Sequence, residues 1–278
     1  MIFRIALKLG YIWTMAITVP EVKQRKKAKG AQPLVMVTAY DAPGALILAK
    51  AGVDILLVGD SVANTVLGFD NTLSVTIDIM CHHVAAVKRS GADIFIVADM
   101  PWLSYHLSEI QAIENAAKLV RAGADAVKLE GGQKRKEVIR AITHAEIPVM
   151  GHIGLTPQSI NVFGGYKVQG KGEKGKELLQ DAKVLEEAGC FAIVLEVVPA
   201  SLGKEITESV SIPTIGIGAG PDCDGQVLVF HDLLGLNFGK KAKFVRQYEN
   251  LADKSVKAIK EFAQDVRTNK YPTSQESY

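Results

Sequence analysis

Short apolar runs that end on an acidic residue recur along the middle of the chain. In four of them a glycine comes first, an apolar run follows, and a carboxylate ends the run. The four carboxylates belong to Asp60, Asp99, Glu130 and Glu196. A glycine is favoured where a helix ends, and the apolar run after it is typical of a buried strand. The pattern therefore predicts four strands that each carry one acidic side chain at the C-terminal end.

The same alternation of strand-like and helix-like segments extends over most of the chain. It predicts eight strands, at residues 34–39, 54–58, 93–98, 126–130, 148–151, 191–196, 213–217 and 226–229. Strands that alternate with helices at a recurring spacing indicate a parallel sheet with helical crossovers. Eight of them in about 200 residues favour a closed (β/α)8 barrel, or TIM barrel, over an open doubly wound sheet.

No linker rich in Pro, Ser or Gly divides the 278 residues, so a single domain is expected. We place a barrel domain with C-terminal helices at residues 31–278, and an N-terminal extension that is partly disordered at 1–30. Residues 1–16 loosely resemble a signal peptide, but no clean cleavage site follows them, and Met15 is an alternative start. A short ordered helix is the remaining interpretation of this segment.

Charge and cysteine content restrict the partners and the compartment. The formal net charge is only +2, so we expect neither nucleic acid nor a membrane surface as a partner. No run approaches the ~18 apolar residues of a membrane span. Three widely spaced cysteines indicate reduced thiols rather than a disulfide framework, and they favour a cytoplasmic location.

Three of the strand-end acids, Asp60, Asp99 and Glu130, form a candidate metal site. The C-terminal ends of barrel strands meet at one face, which is where the active sites of such barrels lie. Oxygen ligands without paired Cys or His suit Mg²⁺, which binds one or two carboxylates and keeps several waters. For each acid taken singly, a structural salt bridge is the alternative.

Four further side chains are candidates for catalysis or substrate binding. Lys128 alternates with Glu130 along one strand, so both point into the barrel, where a buried ammonium needs an anionic partner. That partner could be a substrate, a metal-ligand acid or, in a purely structural pair, Glu130 alone. Glu196 lies across the barrel and is suited to be a general base, or is a structural acid. Ser61 could donate to a substrate oxygen or cap a local turn, and His152 is a candidate substrate contact.

Two glycine-rich stretches follow predicted strands. Residues 151–175 form a long polar insertion, which we interpret as a lid or substrate wall unless it is a disordered surface loop. Residues 216–220 resemble a phosphate-binding loop, and they serve either close packing or ligand contact through backbone N–H groups. The sequence Cys81-His82-His83 is not expected to bind zinc, because adjacent residues of a helix point apart.

Several longer motifs resemble the ketopantoate hydroxymethyltransferase family. They are Thr38-Ala-Tyr-Asp41, Leu57-Val-Gly-Asp-Ser61, Ala98-Asp-Met-Pro101, Val127-Lys-Leu-Glu-Gly-Gly132, Gly151-His-Ile-Gly-Leu-Thr-Pro-Gln158, Phe163-Gly-Gly-Tyr-Lys-Val-Gln-Gly170 and Ile215-Gly-Ile-Gly-Ala-Gly220. They occur in this order, and the resemblance extends over roughly residues 34–272.

The resemblance implies a (β/α)8 barrel enzyme that transfers a hydroxymethyl group from 5,10-methylenetetrahydrofolate to 3-methyl-2-oxobutanoate, giving 2-dehydropantoate for pantothenate biosynthesis. Asp60 and Asp99 would ligate Mg²⁺, and Glu130 would complete the site directly or through a water. Glu196 would accept the proton. The residues in contact with the 2-oxoacid would be Asp60, Ser61, Asp99 and Lys128. The resemblance also implies a homo-oligomer, typically a decamer built as a pentamer of dimers.

Two other functions are compatible with the sequence. Mg²⁺-dependent carbon–carbon lyases and phosphonomutases of a related barrel family are the first, but the Lys-Cys-Gly-His-like loop expected there is absent. The second is a non-catalytic barrel that serves as a binding or scaffold protein, and the complete set of acids and lysine argues against it.

Overall fold

The computed structural model describes residues 16–27, 30–239 and 241–278 of the chain. The chain divides after Leu228 into two compact units, and this division falls inside the barrel domain predicted at 31–278. The first unit contains the barrel. The second unit is described separately below.

Eight parallel strands form a closed barrel in the first unit. Each strand pairs with the next along the chain, and the eighth pairs with the first. The strands are β1 (Leu34–Thr38), β2 (Ile55–Val58), β3 (Phe95–Asp99), β4 (Ala126–Glu130), β5 (Val149–Gly154), β6 (Ala192–Glu196), β7 (Thr214–Ile217) and β8 (Gly225–Leu228). The predicted (β/α)8 barrel is therefore confirmed.

Helices alternate with these strands. They are α1 (Val19–Lys23), α2 (Ala42–Lys50), α3 (Val62–Thr65), α4 (Ile77–Arg89), α5 (Glu109–Ala122), α6 (Lys136–His144), α7 (Ile160–Phe163), α8 (Lys174–Glu187) and α9 (Ala200–Ser209). Polar caps start several of them: Asp41 Oδ1 accepts from Gly44 N at 2.7 Å before α2, and Ser108 Oγ accepts from Gln111 N at 3.1 Å before α5. The glycines of the repeating pattern have positive φ, and they are Gly52, Gly91, Gly123 and Gly189.

The segment after β5 differs from its prediction. The predicted strand ended at residue 151 and a loop followed, whereas β5 continues to Gly154 and an unpredicted helix, α8, begins at Lys174. A Cβ on Gly151 would lie 2.7 Å from Leu185 Cδ1, so glycine is needed where α8 packs on the strand. A glycine required for packing was thus interpreted as the start of a loop.

The barrel interior is apolar below its C-terminal end. Alternate strand residues point inward, and the buried interior includes Val97, Ala126, Met150 and Val194. Two residues further along the same strands, on the same inward face, lie Asp99, Lys128, His152 and Glu196. The polar residues therefore form the last layer of the interior and rest on an apolar one.

Helix α1 closes the other end of the barrel. Val22 is fully buried and belongs to the interior cluster. The Lys26 ammonium lies 2.8 Å from Asp224 Oδ2 and donates to Thr207 O at 2.7 Å. Residues 16–27 thus belong to the barrel unit, which the sequence did not indicate. The disorder expected within 1–30 stays a prediction for residues 1–15, which lie outside the described residues.

The second unit contains α10 (Phe230–Leu234) and α11 (Leu251–Arg267), in the region where C-terminal helices were expected. Helix α10 ends at Gly235, which has a φ of 65°. Asn250 caps α11, because its side chain accepts a hydrogen bond from Asp253 N at 3.2 Å.

None of the helices in the described ranges is long and apolar enough to span a membrane. Cys81, Cys190 and Cys223 are free thiols, in agreement with the predicted absence of a disulfide framework.

We expect Lys26→Met to lower the free energy of unfolding by about 3–5 kcal/mol, because Asp224 would remain as an unpaired buried charge. Urea denaturation followed by circular dichroism measures this loss. Lys176→Met removes an exposed ion pair with Glu173 and should change stability by less than about 1 kcal/mol. If Lys26→Met lowered the free energy of unfolding no more than the Lys176→Met control does, a structural role for the buried pair would be contradicted.

Candidate active site

Six charged side chains meet at the C-terminal end of the barrel. One of them, Asp60, follows β2 by two residues, and the other five lie on β3 to β6. The six residues are Asp60, Asp99, Lys128, Glu130, His152 and Glu196. The first five are between 2% and 5% exposed, whereas the Glu196 side chain is 17% exposed. The acids predicted at the strand ends are therefore brought together, and Glu196 is the one that reaches solvent.

Lys128 pairs with Asp99 rather than with Glu130. Its Nζ lies 2.6 Å from Asp99 Oδ1, and Asp99 Oδ2 accepts a hydrogen bond from Asp60 N at 3.0 Å. Burial lowers the pKa of Lys128, but the nearby carboxylates of Asp99, Glu130 and Asp60 outweigh burial and raise it. The ammonium is therefore charged, and the alternative of an isolated Lys128–Glu130 pair is wrong.

His152 connects two acids on opposite sides of its ring. Nδ1 lies 3.4 Å from Glu130 Oε1, and Nε2 lies 3.2 Å from Glu196 Oε2. Burial and the Lys128 ammonium lower the pKa of His152, but its contacts with Glu130 and Glu196 raise it overall to about 9. His152 therefore lies between the acid layer and the partly exposed Glu196, with the Lys128 Nζ 3.3 Å from its Nδ1.

Asp60 is buried among like charges. Burial, followed by the charges of Asp99 and Glu130, raises the pKa of Asp60 well above its usual range. Lys128 and a hydrogen bond from Gln158 act in the opposite direction but are weaker. An ionised Asp60 therefore gains from any further positive charge placed beside it.

Ser61 is part of a chain of hydroxyl groups. Its Oγ lies 2.8 Å from the Tyr40 hydroxyl, to which Thr38 Oγ1 donates at 2.9 Å. Ser61 occupies the position before α3, but its side chain makes no capping hydrogen bond. The local-cap interpretation is therefore wrong, and the hydroxyl lies one residue from Asp60 at the edge of the site.

Gln158 is a site residue that the sequence analysis did not single out. Its Nε2 donates to Asp60 Oδ2 at 2.9 Å and to Met100 O at 3.0 Å. Its backbone N–H donates to Glu130 Oε2 at 3.0 Å, and its Oε1 accepts from the Tyr105 hydroxyl at 2.7 Å. The Tyr105 contact fixes which end of the amide faces Asp60. Gln158 therefore holds two of the acids in place.

The insertion of residues 151–175 forms part of the wall of the site. Leu155 N donates to Glu196 O at 2.8 Å, and Gln169 N donates to Val197 O at 2.9 Å. Burial, then the charges of Glu196, Asp60 and Glu130, raise the pKa of Tyr166. The two backbone hydrogen bonds anchor the insertion to the end of β6, which supports the wall interpretation over a disordered loop.

The weaker sequence signals have structural explanations. His83 lies within α4, and its Nδ1 is 2.7 Å from Tyr40 O. A Cβ on Gly220 would lie 2.5 Å from Ala200 Cβ, and one on Gly216 would lie 3.0 Å from Cys223 Sγ. These distances favour close packing as the reason for the glycines at 216–220.

The donor set at the barrel mouth suits a hard divalent cation. In the described part of the chain, no group of three or more His, Cys, Asp or Glu side chains is arranged to hold a metal on its own. Mg²⁺ needs only one or two carboxylates, because waters and substrate oxygens complete its octahedron. Asp60 and Asp99 supply two, and Asp99 Oδ1 receives no aligned hydrogen bond from the ammonium beside it. Like-charge repulsion from Asp99 and Glu130 raises the pKa of Asp60, after burial, so a cation bound beside Asp60 would relieve that repulsion.

Comparison with known sequences relates the chain to one family. The family profile described as ketopantoate hydroxymethyltransferase matches residues 16–274. A relative from Thermotoga sp. (strain RQ2), named 3-methyl-2-oxobutanoate hydroxymethyltransferase, is 56% identical over 258 residues, which is 92% of this chain and 96% of the relative. The range matched by the family profile includes all the residues of the site.

Solved structures with a similar fold are much more distant in sequence. Phosphonopyruvate hydrolase in complex with oxalate and Mg²⁺ aligns with a TM-score of 0.60 and 14% identity, over 94% of this chain and 93% of that one. A 2,3-dimethylmalate lyase of the PEP mutase/isocitrate lyase superfamily aligns with a TM-score of 0.58 and 16% identity. The alignment covers 94% of this chain and 92% of the lyase chain. At these identities the likeness shows the barrel fold alone and does not favour a lyase or mutase.

We expect Gln158→Met to weaken Mg²⁺ binding by about 10–100-fold, because outer contacts that orient ligand carboxylates contribute that much to metal affinity. Methionine fills the space but cannot donate to Asp60. Isothermal titration calorimetry with Mg²⁺ and no substrate measures the effect. Gln180→Met, at an exposed position of α8, is the matched control. Equal Mg²⁺ affinity in both variants would show that Gln158 does not orient the ligands.

Proposed function

The chain belongs to the ketopantoate hydroxymethyltransferase family and is a transferase, and we propose that it transfers a hydroxymethyl group from 5,10-methylenetetrahydrofolate to 3-methyl-2-oxobutanoate. The product would be 2-dehydropantoate, on the route to pantothenate. One observation carries this proposal: a buried layer of acids and cations lies directly beside a partly exposed acid, Glu196. Such a layer suits an anionic 2-oxoacid whose C3 proton must be removed.

In this proposal Asp60 and Asp99 hold Mg²⁺, and Glu130 holds it directly or through a water. Bound there, Mg²⁺ would supply Lewis-acid polarisation of the keto group, which would make the C3 proton of the oxoacid more acidic. Gln158 keeps the Asp60 carboxylate turned toward the site through its 2.9 Å hydrogen bond. Glu130 is held in the same way by the backbone of Gln158.

Lys128, Ser61 and His152 bind and orient the oxoacid. The Lys128 ammonium, charged and buried, balances the substrate carboxylate as well as Asp99. The Ser61 hydroxyl, held by Tyr40, is available to a substrate oxygen. His152 lies between the acid layer and Glu196, so it fixes the distance between the bound oxoacid and the base.

Glu196 acts as the general base. Its carboxylate removes the C3 proton, and the electron pair of that C–H bond passes into the enolate of the oxoacid. C3 then attacks the one-carbon unit as its bond to one folate nitrogen breaks, and water replaces the second folate nitrogen to give the hydroxyl group. Overall, the proton from C3 and one proton from water end on the two folate nitrogens. Glu196 is the most exposed acid of the cluster, so it can return its proton to solvent.

We also propose a decameric homo-oligomer, a pentamer of dimers, in the cytoplasm. The resemblance described above is the source of both expectations. Exposed apolar side chains near the start of α5, Leu107 and Ile110, support association between copies of the chain, since such patches mark interaction surfaces. Light scattering after size exclusion tests the assembly.

We expect Glu196→Gln to slow exchange of the C3 proton of 3-methyl-2-oxobutanoate by at least about 100-fold, because a positioned base contributes 10²–10⁴. Oxoacid affinity should change little, since the amide keeps the shape of the side chain. Proton NMR in D₂O measures the exchange, and calorimetry measures binding. Glu187→Gln, on the exposed side of α8, should exchange at the native rate. Native exchange by Glu196→Gln would remove Glu196 from the role of base.

Removal of divalent cations is expected to abolish C3 exchange, and addition of Mg²⁺ to restore it, because polarisation of the keto group would be lost and regained. The same NMR assay is run on protein dialysed against a chelator, with the metal content checked by mass spectrometry. Exchange that continues at the native rate in metal-free protein would exclude the proposed Mg²⁺ site from this step.

A further inference from the structure

A cavity lies near the acid cluster, at the same end of the barrel. It has a volume of about 310 Å³, within the range of ligand pockets, and it opens over the C-terminal ends of β4 and β5. Gly131 and Gly132 line it directly after Glu130, and Ile153 and Gly154 line it directly after His152. The roles proposed above for the site residues do not use this space. Two of its lining residues follow Glu130 and His152 directly in the chain.

Asp181, on α8, is the acidic side chain built most closely into this cavity. Its Oδ1 accepts a hydrogen bond from Gln133 N at 2.7 Å. A Cβ on Gly132 would lie 2.0 Å from Asp181 Cγ, so only glycine allows the carboxylate to approach the backbone there. No described residue donates to Oδ2. Burial raises the pKa of Asp181, and Glu177 adds to that effect, so a ligand N–H donor would stabilise the ionised carboxylate.

The rest of the lining combines apolar, cationic and polar groups, and it includes a second acid, Glu177. Ile153, Phe163 and Leu178 supply apolar surface. Lys134 and Lys174 line the same cavity at exposed positions, and neither forms a salt bridge with a described residue. A matching ligand therefore has a flat apolar body, an edge of N–H donors and an anionic end.

We propose that this cavity binds the folate cosubstrate, with Asp181 accepting hydrogen bonds from the 2-amino-4-oxopyrimidine edge of the pterin ring. The ring N3–H and the 2-amino group lie side by side, and a carboxylate accepts two parallel N–H donors, as it does from a guanidinium. Lys134 and Lys174 face the carboxylates of the glutamate tail. The assignment rests on the proposed function.

The test uses Asp181→Asn in the full chain. Asparagine can still accept from Gln133 N, but it cannot accept both pterin donors as a carboxylate does. We expect the KM for 5,10-methylenetetrahydrofolate to rise at least about tenfold, as loss of a hydrogen bond to a charged group predicts, with the KM for the oxoacid unchanged. Glu187→Gln, on the same helix outside the cavity, should leave both KM values unchanged.

A second variant separates the head of the folate from its tail. Lys174→Gln is at an exposed position and should fold normally. The Lys174→Gln variant should bind tetrahydrofolate severalfold more weakly, but it should bind tetrahydropterin, which lacks the glutamate, as the wild type does. The Asp181→Asn variant should bind both ligands more weakly. Calorimetry or fluorescence titration measures the four dissociation constants.

Two results overturn the proposal in different ways. If the wild-type chain exchanges the C3 proton but does not turn over with folate, the donor assignment fails and the cavity assignment fails with it. If the wild type turns over with folate while Asp181→Asn keeps the native folate KM and the native affinity for both ligands, the cavity assignment fails alone and the proposed function stands.

Discussion

The ion pair between Lys128 and Asp99 is the interaction on which the site depends. Without an internal cation, Asp60, Asp99 and Glu130 would lie together in the buried end of the barrel, where unpaired charges are strongly unfavourable. Strand register places the cation, since Asp99 is the paired neighbour of Lys128 on adjacent strands. Glu130 is likewise paired with His152, and Gly154 with Glu196. The parallel pairing that closes the barrel therefore also alternates acids with cations around its mouth.

Much of this arrangement could be predicted from the sequence because strands have a period of two. Once Ala126 and Val97 point into the barrel, Lys128 and Asp99 must point inward as well. The glycine before each apolar run and the acid after it marked the strand boundaries. The sequence could not show that Lys128 would choose Asp99 rather than Glu130, because that choice depends on which strand lies beside it and in what register.

The parts that the sequence did not predict share a physical reason: their residues are set by packing between distant segments. Gly151 is a glycine because Leu185 of α8 occupies the space of its side chain. Gln158 lies in a segment without periodicity, so nothing local indicates that its amide turns back to Asp60. Lys26, in the N-terminal segment, reaches Asp224 at the far end of the barrel unit. Contacts of this kind appear only once the chain is folded.

The exposure of Glu196 decides how a proton can move through this site. Asp60, Asp99 and Glu130 are closed off from water, and the ring of His152 lies between Glu130 and Glu196. Glu196 belongs to the same layer yet remains partly exposed, beside a wall that its own backbone carbonyl and that of Val197 anchor. In the proposed reaction a proton taken from the oxoacid would therefore leave by way of Glu196, and the buried side chains would hold the ligands. The proposed mechanism thus assigns proton transfer to the one acid that reaches solvent and substrate binding to the buried groups beside it.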